Sequence, residues 1–404
     1  MIPQSNLDIS IKSLRSWKSI KNLYMQTIAP YFQFVSIFVF IIIVSFLELT
    51  LVAWTQATGS ATGFQSIVST KNRFDRETRA LVSTHNSTNY DAINIPWLKQ
   101  GTKCPVNLTI IVPGWGNDAN KSVERFERAK MSLEHNNYHD PIVGFSWDSD
   151  TTIQSIGAGW TVANLIVKDN GPKLAQFIAD FKDKGNDSEI RIIAHSLGSR
   201  LILSSLDSLN NNQHWKDKNF TLASVHLLGA AVDNEEVAND PLYIINNVSI
   251  VNNTLEWYDV YGITSAYGQD IEDQVSKFYN LFNPNDKRLS DVNANYEYDD
   301  ALGLNGAQVD TTLSSKYVEK DVQNKIPPLC DAEGDDVADW PLKKNETNER
   351  GSNHGGYFGF TNMMGNKKVL LDDGAMNTVV RDWDNTLVPE KQNSTLTAIC
   401  NTTY

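Results

Sequence analysis

The stretch EIRIIAHSLGSRLIL, residues 189–203, decides how this chain of 404 residues folds. Its first half is a short apolar run typical of a buried strand, and its second half has leucine and isoleucine at helical spacing. Between them lies AHSLG (194–198), in which small residues stand two positions before and after a serine. A strand, a sharp turn and a helix in this order predict a nucleophile elbow, which presents Ser196 above the sheet at a helix N-terminus. A serine cap at an ordinary strand–helix turn is the alternative.

Short apolar runs recur on both sides of this stretch and alternate with helical patterns. Strands are predicted at 108–112, 142–147, 189–195, 224–228, 278–282 and 316–322, and helices at 121–133, 171–182, 198–209 and 377–384. Pro172 is expected near the start of its helix, where a missing N–H is tolerated. The alternation predicts an α/β fold with a mostly parallel sheet flanked by helices.

Two long segments interrupt the alternation. Residues 233–275 are rich in Tyr and Trp, which is typical of a lid beside a pocket, and residues 323–352 are predicted to be an insertion loop. The main body of the chain is assigned to residues 101–388. We expect a stalk or leading segment over 55–100 and a tail over 389–404.

A membrane anchor is predicted before the body, because residues 31–54 (YFQFVSIFVFIIIVSFLELTLVAW) form an apolar run long enough to span a bilayer. Residues 1–30 carry four basic side chains, which predicts a cytoplasmic N-terminus and an extracytoplasmic body. A cleaved signal peptide is the alternative.

Glycosylation sequons support the outside location. They lie at Asn86, Asn107, Asn120, Asn186, Asn219, Asn247, Asn252, Asn345, Asn393 and Asn401. Cys104, Cys330 and Cys400 permit one disulfide, whose pairing the sequence leaves open, or three free thiols.

The net charge of the chain is -13, which argues against nucleic acid as a partner. The same acidity is expected to disfavour strongly anionic substrates, unless Arg200, Lys287 or Arg288 supplies a local cation. No metal or organic cofactor is implied by the sequence.

The remaining catalytic candidates follow from their chain order. The sequence PGWGN (113–117) follows a predicted strand that ends at Val112. In this loop, the backbone N–H of Trp115 is the natural second oxyanion-hole donor beside that of Leu197, and Gly116 is the alternative. Of the seven histidines, His354 is the one that lies late enough in the chain to serve as the base.

An acid is needed to hold the tautomer of that histidine. Asp286, just past the 278–282 strand, is the leading candidate for this acid. Asp233, after the 224–228 strand, is the alternative.

These pieces, in order, resemble the α/β-hydrolase superfamily. They read PGWGND (113–118), FSWDS (145–149), AHSLG (194–198), AAVD (230–233), NPND (283–286) and SNHGGY (352–357). They are most similar to a bacterial and archaeal branch of hydrolases without a settled substrate. The resemblance implies Ser196 as nucleophile, Asp286 as acid and His354 as base, with Trp115 and Leu197 in the oxyanion hole.

The chain departs from the pattern of that branch at two positions, where Pro113 replaces a histidine and Asp148 a proline. Neither is a triad position, so the departures bear on the substrate. We therefore expect a membrane-anchored serine hydrolase that acts on a carboxylic ester or a lipid-like acyl substrate. Peptidase or acyltransferase chemistry on the same triad, a non-catalytic binding module and a structural glycoprotein are the alternatives.

Overall fold

The computed structural model describes residues 64–82, 85–99, 101–151, 156–239, 248–251, 254–257, 266–290, 300–309, 311–327, 353–364 and 367–394. The predicted anchor (31–54), the basic segment before it, most of the insertion loop, and Cys330 and Cys400 lie outside these residues. In the part of the chain that is described, no helix is both long and apolar enough to cross a membrane.

The described residues form one eight-stranded sheet. Its strands are β1 (Ile67–Ser69), β2 (Asp91–Ile93), β3 (Asn107–Val112), β4 (Ile142–Ser146), β5 (Glu189–His195), β6 (Ser224–Leu228), β9 (Phe278–Phe282) and β10 (Tyr317–Asp321). Their order across the sheet is β10-β9-β6-β5-β3-β4-β1-β2. All neighbours pair in parallel except β2, which is antiparallel to β1. Two hairpins lie apart from the sheet, β7 (Val248–Val251) with β8 (Thr254–Trp257), and β11 (Phe360–Met364) with β12 (Lys367–Asp372).

Helices cover both faces of the sheet. They are α1 (Ala119–His135), α2 (Ile156–Lys184), α3 (Gly198–Asn210), α4 (Gln213–Asp217), α5 (Gly268–Gln274), α6 (Leu302–Asn305) and α7 (Met376–Trp383). Successive side chains of a strand point to opposite faces, and β3 shows this directly. Ile110 packs in the core with α2 and α3, whereas Ile111 packs in the core with α1 and α7. The predicted α/β fold is therefore confirmed, with the long parallel strands at its centre.

Helix α2 corrects the expectation for Pro172, which lies inside a 29-residue helix rather than near its start. Proline at this position cannot donate to the carbonyl oxygen of Lys168, one turn earlier. Ser204 on α3 supplies the missing donor, because its Oγ donates to Lys168 O at 2.8 Å. The helix continues through the proline because a side chain from another helix repairs the lost hydrogen bond.

The predicted stalk or leading segment (55–100) contributes two strands from residue 67 onward. β1 and β2 extend the sheet beyond β4, with Val68 fully buried opposite Phe145. Asp148, directly after β4, accepts hydrogen bonds from the backbone N–H groups of residues 72, 73 and 74 at 2.7–2.9 Å. Part of the segment before residue 101 is thus a structural part of the α/β domain.

The aromatic segment 233–275 is described in pieces. Its last part contains α5, which begins after Tyr267, a ring buried in the main core. Tyr243, Tyr258 and Tyr261 lie outside the described residues. Its role as a lid stays a prediction.

Candidate active site

Ser196 occupies a strained turn between β5 and α3. Its φ is +54°, a left-handed conformation that costs a residue other than glycine about 1–2 kcal/mol. Small neighbours make room for this turn. A Cβ at Gly114 would lie 2.6 Å from Ser196 Cβ, and one at Gly198 would lie 2.7 Å from Pro113 O. The predicted elbow geometry is present, and its two close approaches explain why both positions are glycine.

The loop after β3 runs beside Ser196. Asn117 Nδ2 donates to Gly114 O at 2.9 Å, and Trp147 Nε1 donates to Pro113 O at 2.9 Å, so the loop is held from two sides. The Gly116 N–H donates to Ser149 O at 2.8 Å. The Gly116 N–H, the alternative oxyanion donor, is therefore already engaged. The Trp115 amide is the remaining donor candidate from this loop, and the Leu197 amide is the candidate from the elbow.

The side chain of Trp115 is fixed on one wall of the site. Its Nε1 donates to Thr151 Oγ1 at 2.8 Å, and its ring packs edge-on against Trp160 with 5.6 Å between centroids. Because the side chain is anchored, the backbone at residue 115 is also restrained. A preorganised donor needs no reorganisation when charge develops on a bound carbonyl oxygen.

His354 and Asp286 meet although they are 68 residues apart in sequence. His354 Nδ1 lies 2.7 Å from Asp286 Oδ2, and the carboxylate is fully buried. Tyr357 Oη donates to the same oxygen at 3.1 Å, and the Leu289 N–H donates to Oδ1 at 3.1 Å. The carboxylate is held from three directions, so it can fix the imidazole with Nδ1 as the protonated nitrogen.

His195 lies next to His354 and supports it through the backbone. Its Nε2 donates to His354 O at 2.8 Å, and the two rings are 4.6 Å apart. Burial lowers the pKa of His195 well below its ordinary value, and the nearby His354 and Arg125 lower it further. A neutral imidazole that donates to a carbonyl oxygen is a structural group.

Asp233, the alternative acid, has other partners. Its Oδ2 lies 3.4 Å from Nη2 of Arg200. The same Nη2 lies 3.3 Å from Glu236 Oε1. All three side chains are buried. The position that faces His354 Nδ1 is occupied by Asp286.

Ser196 and His354 line the same cavity, whose volume is about 430 Å³. A cavity of this size accommodates a small-molecule substrate. Its lining also includes Trp115, His195, Arg288 and Phe360. The structure therefore brings the predicted nucleophile, base, acid and oxyanion loop together at the carboxyl ends of the parallel strands. The roles of these residues stay predictions.

Residues 97–254 match the profile of a family described as "Alpha/beta hydrolase of unknown function (DUF900)". The fold is that of an α/β hydrolase. The resemblance drawn from the ordered motifs is confirmed. The matched segment of this chain includes Ser196, Trp115 and Asp233, and it ends before Asp286 and His354. The pairing of the acid with the base therefore rests on the 2.7 Å contact.

Solved structures give weaker similarities to this chain. The catalytic core of acetyl xylan esterase from Trichoderma reesei is 10% identical over 33% of this chain and 68% of its own, with a TM-score of 0.25. Lipase B from Aspergillus fumigatus is 12% identical over 61% of this chain and 49% of its own, with a TM-score of 0.32. This chain spans about half the length of that lipase. The comparison with curated proteins gives no match.

The sequence did not single out several groups at this site. Tyr357 is one, although SNHGGY contains it. Its buried hydroxyl bonds the acid, and burial beside Asp286 raises its pKa well above the usual value. Lys121, Arg125 and Arg128 are others, because they belong to a helix whose charges look mixed in sequence. Within the described residues, no group of three His, Cys, Asp or Glu side chains is arranged to hold a metal ion.

Proposed function

We propose that this chain is a serine hydrolase that cleaves carboxylic esters. The observation that carries the proposal is the contact between His354 Nδ1 and the buried Asp286, in a cavity that Ser196 also lines. With Nδ1 engaged by the acid, Nε2 is the nitrogen that remains to take a proton from Ser196.

The reaction begins when Ser196 Oγ attacks the ester carbonyl carbon and its proton passes to His354 Nε2. Negative charge develops on the carbonyl oxygen, which accepts hydrogen bonds from the Trp115 and Leu197 amides. The bond to the alcohol oxygen then breaks, and His354 returns the proton to that oxygen. Water attacks the acyl-enzyme with His354 again as base, which releases the acid and restores Ser196.

The proposal includes the location of the domain. The apolar run over 31–54 and the basic residues before it support a single membrane anchor with the hydrolase domain outside the cytoplasm. The ten sequons support the same side. A lipid-like acyl ester is the substrate that such a location favours.

Serine-directed labelling of the full-length chain in intact cells tests both parts. We expect a fluorophosphonate probe that cannot cross membranes to label the protein. Labelling should be lost in Ser196→Ala and His354→Ala but kept in Ser199→Ala. Ser199 is the matched control because it is a buried serine three residues along, whose Oγ has no partner among the described residues.

Two results would contradict the proposal in different ways. Labelling by a permeant probe alone would place the domain inside the cell and leave the serine mechanism standing. No labelling of the folded protein by either probe would remove the mechanism and favour a binding module.

A further inference from the structure

One wall of the cavity is strongly basic, although the chain as a whole carries a charge of -13. This cationic wall consists of Lys121, Arg125 and Arg128 from α1 and Arg288 from the loop after β9. Among the described residues that line the cavity, Glu124 is the one carboxylate. Cavities lined by one sign of charge attract ligands of the opposite sign. The acidity of the sequence as a whole therefore says little about the charge of the substrate.

The wall is built by helical spacing. Positions 121, 125 and 128 follow one another at four and three residues, so their side chains lie on one face of α1. Lys121 lies in the first turn, at the positive end of the helix dipole, where a cation is disfavoured. The fold thus brings positive charges together beside the cavity, where electrostatics alone would separate them.

Two of these cations converge on one carbonyl. Arg125 and Arg128 donate to Gly355 O at 3.3 and 3.4 Å. In the described part of the chain, Arg128 has no carboxylate within salt-bridge distance, and its buried Nε has no hydrogen-bond partner. Burial and the nearby Arg125 lower the pKa of Arg128 to about 9, so this guanidinium still carries its charge at neutral pH. A neutral carbonyl cannot balance this charge, whereas an anionic ligand group can.

The position of Gly355 shows which half of a substrate would meet the wall. Gly355 directly follows His354, the residue that returns a proton to the departing alcohol oxygen. That oxygen must lie within hydrogen-bond reach of His354 Nε2. The alcohol half of an ester therefore leaves on the side of the cavity where Arg125 and Arg128 converge.

We infer that the cavity takes esters whose alcohol half carries a carboxylate or phosphate group, bound by the cationic wall. This inference rests on the proposed serine hydrolase. It adds the charge of the substrate and the half of the ester that carries it. Guanidinium groups suit both anions, because their fork of N–H donors matches carboxylate and phosphate oxygens.

The test compares matched esters with the full-length protein in detergent. 4-Acetoxybenzoate carries its charge on the alcohol half, and 4-acetoxybenzamide is its neutral counterpart. We expect kcat/KM to favour the anionic ester by about tenfold or more, because a charged hydrogen-bonded group recognises its partner at about that level. Arg125→Gln should remove most of this preference, and Lys121→Gln should reduce it less. 4-Phosphonooxyphenyl acetate, used beside 4-acetoxybenzoate, distinguishes phosphate from carboxylate.

Lys130→Gln is the matched control, because it removes the same charge from the same helix. Lys130 is exposed, pairs with Glu134 and does not line the cavity. The Lys130→Gln variant should prefer the anionic ester to the same extent as the wild type. A second pair, 4-nitrophenyl hemisuccinate and 4-nitrophenyl butyrate, carries the charge on the acyl half. A preference for the charged member of that pair alone would overturn the assignment to the alcohol half.

Equal rates for charged and neutral esters, or a preference that Arg125→Gln leaves intact, would overturn the inference. Labelling of Ser196 without hydrolysis of any of these esters would also overturn the substrate class and leave the serine mechanism standing. Loss of both labelling and hydrolysis in the folded protein would instead remove the proposed function on which the inference rests.

Discussion

Asp148 and Asp286 are two fully buried carboxylates, and each follows the carboxyl end of a strand. Asp148 accepts hydrogen bonds from three consecutive backbone amides of the segment that follows β1. Asp286 accepts from one backbone amide and from two side chains, those of His354 and Tyr357. Burial and residue type are the same at both sites, whereas the hydrogen-bond partners differ.

The partners indicate what each carboxylate does. Backbone amides do not change protonation state, so their bonds to Asp148 hold the chain in place. An imidazole can gain and lose a proton, and a buried carboxylate stabilises its charged form. We therefore assign Asp148 to the attachment of the leading segment and propose Asp286 for the reaction.

The largest expected effect is on the rate after Asp286→Asn. The asparagine keeps the shape of the side chain but presents the imidazole with a neutral group that does not hold the reactive tautomer. We expect kcat to fall by about 10³–10⁴-fold. The measurement is the steady-state hydrolysis of a 4-nitrophenyl ester, with the melting temperature taken in parallel. A variant that melts like the wild type and keeps its rate would remove Asp286 from the proposed triad.

The matched substitution Asp148→Asn should act on stability instead. The asparagine has one acceptor oxygen where the carboxylate had two, so at least one buried amide faces an NH₂ group. The loss of a partner for a buried donor costs about 1–3 kcal/mol. We expect a free energy of unfolding lower by about that amount in denaturant titration, with kcat within about threefold of wild type. An equal fall in rate and stability in both variants would mean that the two carboxylates do not divide these tasks.

The sequence predicted the centre of this molecule well and its margins poorly. The strands β3, β4, β5, β6 and β9 are short apolar runs whose pattern is local, and each lies where it was expected. The turn at Ser196 was also predictable, because two small residues at fixed positions reflect a steric need of the turn itself. Its neighbours Asp286 and His354 followed from the order of the strands that carry them.

The features that the sequence did not indicate depend on contacts between distant segments. β1 and β2 are three residues long, and they exist as strands because β4 offers an edge to β1 and β1 offers an edge to β2. Helix α2 runs through Pro172 because Ser204, 32 residues later, bonds the carbonyl that the proline leaves without a donor. The cationic wall depends on which face of α1 meets the cavity, which a list of mixed charges does not indicate.

Asp270 is a third buried carboxyl, and its substitution has the smallest expected effect of the three. Asp270 on α5 accepts a hydrogen bond from Asn210 Nδ2 at 2.7 Å. Burial raises its pKa from 3.8 to about 6, and the neighbouring Asp207 and Asp273 add to this, whereas the bond from Asn210 opposes it. One neutral donor does not fully compensate the burial of this charge.

The raised pKa sets the direction of the pH dependence. Because the folded state holds the proton more tightly than the unfolded chain, ionisation of Asp270 lowers stability as the pH rises from about 4 to about 6. Asp270→Asn lacks this titration. The free energy of unfolding of the variant should therefore rise relative to that of the wild type across that interval. Above pH 6 it should stay higher, by on the order of 1–2 kcal/mol. Denaturant titrations at pH 4, 5, 6 and 7.5 measure the gap, and Asp273→Asn, an exposed change on the same helix, controls for surface charge. A gap that stays constant with pH, or that moves in favour of the wild type as the pH rises, would show that burial does not penalise the charged form of Asp270.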